Sequence, residues 1–183
     1  MSYRRLFIGI PVSGPMSNEI LALQKEWQRK FQLPPESRVL KADFHVTLHF
    51  LGTVPEVQIP NLEKELGTVR PASPFSFQFN RCLPFPNSFQ ARVLTLGGCS
   101  GDSPMNQLHY ELSAPVKALG YHLEERLFIP HITLFRGKRF NIPDELKDQS
   151  SINLQVSSFA LFESCLTPTK KRYEILKEFS LAN

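Results

Sequence analysis

Two stretches of the chain repeat one another: HVTLHFLG at residues 45–52 and HITLFRG at residues 131–137. Each opens with His, a β-branched aliphatic residue, Thr and Leu, and each closes on glycine. Alternating apolar and polar residues at this spacing predict a strand, on which residues two apart share a face. His45 therefore stands beside Thr47, and His131 beside Thr133, while Val46, Leu48, Ile132 and Leu134 turn toward a core. Strict alternation puts His49 with His45 and Phe50 with Val46. Either motif alone has the look of a structural histidine at a strand edge. The same four residues in register twice turn the pair toward chemistry.

Working outward, RLFIGI (5–10) predicts a short buried strand closed by Pro11. Ile20, Leu23, Trp27 and Phe31 form the apolar stripe of a helix from Ser17 to Phe31, stopped by Pro34 and Pro35. A second helix is expected over 60–69, with Leu62, Leu66 and Val69 buried. FSFQFN (75–80) and ARVLTL (91–96) predict strands, and the intervening LPFPNSF, rich in proline, a loop. Met105, Leu108, Leu112, Val116 and Leu119 predict a third helix, with Pro115 expected to kink or break it near Ala114. Residues 127–135 predict a strand interrupted by Pro130. NLQVSSFALFES (153–164) and RYEILKEFSL (172–181) predict two long strands joined by a polar turn. Two similar sets of elements, each with its His-x-Thr strand, suggest a diverged internal duplication. Neither a solenoid period nor a glycine-rich phosphate loop is present.

The chain has 183 residues, with 42% hydrophobic, 21% charged and a formal charge of +4, an ordinary folded composition with one substantial core or two small lobes. The five-residue apolar run before Pro11 is too short for a signal segment, and no stretch is long enough to span a bilayer. Three widely spaced cysteines, Cys82, Cys99 and Cys165, fit neither a disulfide scaffold nor a zinc site. The expectation is a cytoplasmic monomer with no membrane partner.

Two imidazoles and two hydroxyls on one face suit phosphodiester chemistry. Displacement at phosphorus needs a base beside the attacking oxygen and an acid beside the leaving one, and histidine serves either role near neutral pH. Threonine hydroxyls can donate to the non-bridging oxygens as charge gathers there. That scheme calls for no metal and no cofactor.

These motifs, with RLFIGIPV, RVLTLG, LEERLFIPHITLFRG and the closing segment through RYEIL, resemble the 2H phosphoesterase superfamily. Within it the resemblance is to the bacterial and archaeal RNA 2',3'-cyclic phosphodiesterases, historically called 2'-5' RNA ligases, and it covers nearly the whole chain. It implies a single α+β domain over residues 1–183. That domain would be a pseudo-twofold, two-lobed fold of antiparallel sheets with outer helices and a central cleft carrying both motifs. It implies metal-independent hydrolysis of RNA 2',3'-cyclic phosphate ends to 2'-phosphomonoesters, with weak reversible 2'-5' joining of RNA ends. It also implies His45 and His131 as catalytic groups, His131 as base and His45 as acid, with Thr47, Thr133 and Arg136 binding the phosphate. Alternation points Arg136 toward the core, so phosphate contact requires the strand to end or bulge at Phe135, as Gly137 permits.

Thr95 stands where the family commonly has Trp, which alters the expected groove wall. Phe50, Phe135 and Tyr173 are candidates for base stacking, although each is as readily a core residue. Arg92 is a candidate near the phosphate, and Arg4, Arg5, Lys170, Lys171 and Arg172 are candidates along an RNA backbone. Alternative readings are a cyclic phosphodiesterase for small nucleotides or ADP-ribose cyclic phosphate, and a non-catalytic RNA- or nucleotide-binding module.

Overall fold

The N-terminal apolar run forms β1 (Tyr3–Pro11), followed by α1 (Gly14–Lys30), which buries Ile20, Leu23 and Trp27 as its spacing predicts. The first motif opens β2 (His45–Pro55), and α2 (Ile59–Leu66) follows, capped by Gly67. Then come β3 (Phe75–Phe85), β4 (Ala91–Gly98), α3 (Pro104–Ala118) and β5 (His131–Phe140), which begins at the second motif. The chain ends in β6 (Ile152–Val156), β7 (Ser158–Ser164) and β8 (Tyr173–Ser180). This computed structural model describes residues 2–69, 73–98, 101–142, 151–165 and 172–181; Cys99, Lys170 and Lys171 lie outside them.

All eight strands join one antiparallel sheet in the order β6-β3-β4-β5-β2-β1-β7-β8. Its middle is narrow, because β2 and β5 pair only at Val46↔Ile132, the residues between His and Thr in each motif. The chain just ahead of β2 continues the pairing along β5, through an Arg38↔Phe135 bridge and a Val39 N–H to Leu134 O bond of 2.9 Å. Helices flank one face of the sheet, giving an α+β fold. One core joins Ile20, Leu23 and Trp27 of α1 and Met105, Leu108 and Leu112 of α3 to Val46, Leu48, Ile132 and Leu134. The other face of the sheet carries a separate small cluster, Phe7, Ala160 and Phe162 with Tyr173 against it.

Four elements depart from the sequence expectation, one being the strand expected over 127–135, which starts only at His131, after Pro130, and runs to Phe140. The alternating run 153–164 is two strands: the chain leaves the sheet at Ser157, so β6 pairs with β3 at one edge and β7 with β1 near the other. β6 alternates buried and exposed residues and β7 buries four in a row, and neither pattern carries a record of which neighbour the strand meets. β3 runs on through Leu83, Pro84 and Phe85, a stretch expected to be loop. Pro84 fits because β6 pairs only with residues 75–79, which leaves Pro84 with β4 on one side and an open edge on the other. α3 continues past Pro115 to Ala118, since proline in the last turn leaves little helix to disrupt.

Candidate active site

Gly9 lets β1 approach the first motif closely: a Cβ there would lie 2.7 Å from the carbonyl oxygen of Val46. Across that contact Gly9 pairs with Thr47, Ile10 with Val46 and Pro11 with His45. The second motif is held the same way, with Thr95 opposite Thr133, Leu96 opposite Ile132 and Gly97 opposite His131. Each motif strand then bulges at its leucine. β1 skips Leu48, passing from Gly9↔Thr47 to Ile8↔His49, and β4 skips Leu134, passing from Thr95↔Thr133 to Leu94↔Phe135.

A bulge inserts one unpaired residue and so reverses the alternation beyond it. This corrects the placement of four side chains. His49 turns inward to α3, where its Nε2–H donates to His109 O at 2.8 Å and its ring stacks on His109 at 4.1 Å. It does not share the face of His45. Phe50 turns outward instead and is 58% exposed. In the second strand Phe135 is fully buried, which removes it as a stacking candidate, and Arg136 is exposed, on the face of Thr133. The bulge lies at Leu134, one residue earlier than expected. Its carbonyl is kept satisfied by Val39 N–H and by the buried Gln24 of α1, whose Nε2 donates to Leu134 O at 2.7 Å and to Val39 O at 2.9 Å.

Both histidines are oriented by the same device. His45 Nδ1–H donates to Asp43 O at 2.7 Å, and His131 Nδ1–H donates to Ile129 O at 2.7 Å. In the neutral ring this leaves Nε2 as the open, basic nitrogen. Thr47 Oγ1 lies 3.1 Å from His45 Nε2 and donates to it, whereas His131 Nε2 has no partner among the described residues. His45 is only 8% exposed, packed edge-on by Tyr173 at 4.7 Å and flanked by Phe7 at 4.9 Å and Phe162 at 5.8 Å. His131 is half-buried, with Phe85 at 5.4 Å.

Burial pushes His45 down from the usual 6.5 to about 4; the bond to Asp43 O opposes this, and the positive fields of Arg136 and His131 add to it. His131 is also lowered, by burial and then by Arg136, against its bond to Ile129 O. His45 on β2 thus feels the charges of two β5 residues. Thr95 is fully buried beside Thr133 and donates to Leu83 O at 3.0 Å, so it seals the sheet rather than lining a groove. Arg4 is engaged by Glu56 at 2.8 Å and Glu163 at 3.0 Å, which removes it from the candidates for an RNA backbone. Arg5, Arg92 and Arg172 are exposed. Among the described residues no three His, Cys, Asp or Glu side chains gather as a metal site. No described helix is long and apolar enough to cross a membrane.

An antiparallel α+β sheet with paired His-x-Thr strands defines a phosphoesterase, and a family model described as LigT like Phosphoesterase matches residues 10–95, which include the first motif. The RNA 2',3'-cyclic phosphodiesterase of Thermotoga maritima is 32% identical over 182 residues, covering 95% of this chain and 94% of that protein. The Bacillus subtilis protein of the same name is 30% identical over 179 residues, covering 93% of each. A crystal structure of E. coli LigT complexed with 3'-AMP superposes with a TM-score of 0.81 at 26% identity, over the full length of both chains. The chain belongs to this LigT-like family of RNA 2',3'-cyclic phosphodiesterases.

Proposed function

We propose that the protein hydrolyses RNA 2',3'-cyclic phosphate ends to 2'-phosphomonoesters by acid–base catalysis between His45 and His131, without a metal. The observation that carries this is the single Val46↔Ile132 pair, which sets the two motifs side by side in the sheet. Pseudo-twofold organisation of two interleaved lobes in one domain accounts for that arrangement. The strand series β2, β1, β7, β8 runs outward from the pair as β5, β4, β3, β6 does, with a bulge at the same leucine. The nucleotide complex of the E. coli relative supports a ligand-binding face of this fold that accepts a ribonucleotide.

In the working mechanism His131 Nε2, open to solvent water, takes a proton as the water oxygen attacks phosphorus. The P–O3' bond breaks, and His45 Nε2 delivers its proton to O3', leaving the phosphate on O2'. Arg136 and the Thr47 and Thr133 hydroxyls stabilise the charge that gathers on the non-bridging oxygens. A bound phosphate offsets the positive fields of Arg136 and His131 that add to the burial holding His45 low, so substrate binding raises its proton affinity and loads the acid. The reverse sequence joins RNA ends through a 2'-5' linkage. Three scattered cysteines and the absence of an apolar spanning run support a cytoplasmic address, and we assign the protein as a monomer.

The test is incubation of metal-free protein with an oligoribonucleotide ending in a 2',3'-cyclic phosphate, with identification of the product isomer. A 2'-phosphate is expected. A 3'-phosphate overturns the assignment of the leaving oxygen, and no turnover overturns the enzymatic reading in favour of a binding protein.

A further inference from the structure

Asp43 gives the first motif something the second lacks. Its main-chain carbonyl orients His45 as Ile129 orients His131, but its carboxylate does separate work. That carboxylate, on a residue only 7% exposed, accepts the main-chain N–H of Arg172 at 2.8 Å and of Tyr173 at 3.2 Å. One side chain thus fastens the turn before β2 to the start of β8, across 129 residues of sequence. Fixed there, the Tyr173 ring stands edge-on to His45 at 4.7 Å and to Phe7 at 5.2 Å, while Phe7 stacks on Phe162 at 4.8 Å. Among the described residues the second histidine has one ring neighbour, Phe85, at 5.4 Å.

We propose that Asp43 is a positioning residue of the active site, whose carboxylate holds the start of β8 so that Tyr173 closes a dry aromatic wall over His45. This rests on the catalytic reading of His45. The groups facing that ring are Phe7 from β1, Phe162 from β7, Tyr173 from β8, Thr47 on its own strand, and the charges of Arg136 and His131 from β5. Tyr173 contributes apolar ring area, so its removal admits water to the imidazole and weakens the burial that depresses its proton affinity. It also frees the ring to rotate away from the reacting phosphate. Loss of alignment of this kind costs on the order of 10-fold to 10²-fold in rate.

Histidine NMR titration reads the proposal without turnover. In the wild type His45, pushed down by burial, is expected to titrate at about 4. In Asp43→Ala it moves up toward 6.5 while His131 stays where it was. Asn keeps an acceptor oxygen for the two N–H groups, so Asp43→Asn restores the wild-type titration. Tyr173→Ala moves His45 as Asp43→Ala does, and it serves if the alanine variant at 43 does not fold. On a cyclic-phosphate substrate, Asp43→Ala lowers kcat by at least about tenfold with KM little changed. An unmoved His45 in folded Tyr173→Ala or Asp43→Ala overturns the proposal, as does an asparagine variant as defective as the alanine. Wild-type protein without turnover would refute the hydrolytic reading separately, and the titrations would still decide for Asp43.

Discussion

The two motif strands are built alike up to the leucine and differ just beyond it. Each begins with a histidine tied through Nδ1 to the carbonyl two residues before it, and each bulges at Leu48 or Leu134. Past the bulge the inward residue is His49 in one strand and Phe135 in the other, and the outward residue is Phe50 or Arg136. Their surroundings diverge as well: His45 sits in an aromatic wall, His131 beside a single ring. The difference teaches that a shared backbone device leaves Nε2 as the basic nitrogen of both rings. A single outward position then gives one half an apolar plate and the other a cation.

If the halves are equal partners in proton transfer, removing either imidazole has the same consequence. His45→Ala and His131→Ala are each expected to lower kcat/KM by about 10² to 10⁴ while the protein stays folded. Circular dichroism together with kinetics on a cyclic-phosphate oligoribonucleotide checks this. Near-normal activity in one variant would remove that histidine from the mechanism and end the equivalence.

The outward pair should separate charge from contact. Arg136 lowers the proton affinity of both histidines, so Arg136→Gln is expected to raise both titrations and to reduce kcat/KM by about 10- to 10²-fold. Phe50→Ala removes no charge. It should leave both titrations in place and act through KM alone, as loss of a stacking surface would. Histidine NMR and a separation of kcat from KM distinguish the two. Movement of the histidines in Phe50→Ala would mean that Phe50 also shields them.

The inward pair sets the acid response. His49 and His109 are lowered chiefly by burial, His109 to about 4 with the charge of His49 adding to it, while the bond to His109 O opposes the lowering of His49 and Lys117 adds to it. All four depressed histidines, including His45 and His131, stay neutral in the folded state where the unfolded chain takes up protons. The unfolded state therefore binds more protons between about 6.5 and 4, and stability falls as pH drops through that window. His109 also stacks on Phe128, at 4.2 Å, and His109→Phe keeps an aromatic ring there without a titrating nitrogen. Denaturant midpoints between pH 7 and 4 should fall less steeply in that variant. An unchanged slope would assign the acid response to His45, His49 and His131 instead.

Much of this was legible in the sequence. The His-x-Thr spacing picked out two strands whose residues between His and Thr, Val46 and Ile132, are fully buried and pair with each other. Helix stripes such as Ile20, Leu23 and Trp27 were read correctly because 3.6-residue periodicity is a local property. The bulges were not, since a bulge is a mismatch of register with a partner strand far away in sequence. Alternation alone therefore sent His49 to the wrong face and left Arg136 turned inward unless the strand yielded at Phe135. Asp43 was overlooked for the same reason: nothing near it in the chain indicates that its carboxylate meets Arg172 and Tyr173.

The smallest effect concerns what holds the second bulge. Leu134 O accepts from both Gln24 and Val39, and Gln24 Nε2 also bonds Val39 O, so this amide joins α1 to the two chains that meet where β2 leaves β5. Methionine matches the length of glutamine and donates no hydrogen bond. Gln24→Met leaves Leu134 O its bond from Val39 N–H, and it is expected to cost about 1 to 2 kcal/mol of stability, the loss of one buried and one part-buried hydrogen bond. Urea midpoints measure that cost, and the activity retained at low temperature shows whether Arg136 kept its place. Full kcat/KM in a destabilised Gln24→Met protein would mean that the β4 register alone turns Arg136 outward. Lost kcat/KM that Arg136→Gln renders invisible would mean instead that the amide holds the bulge open for the arginine.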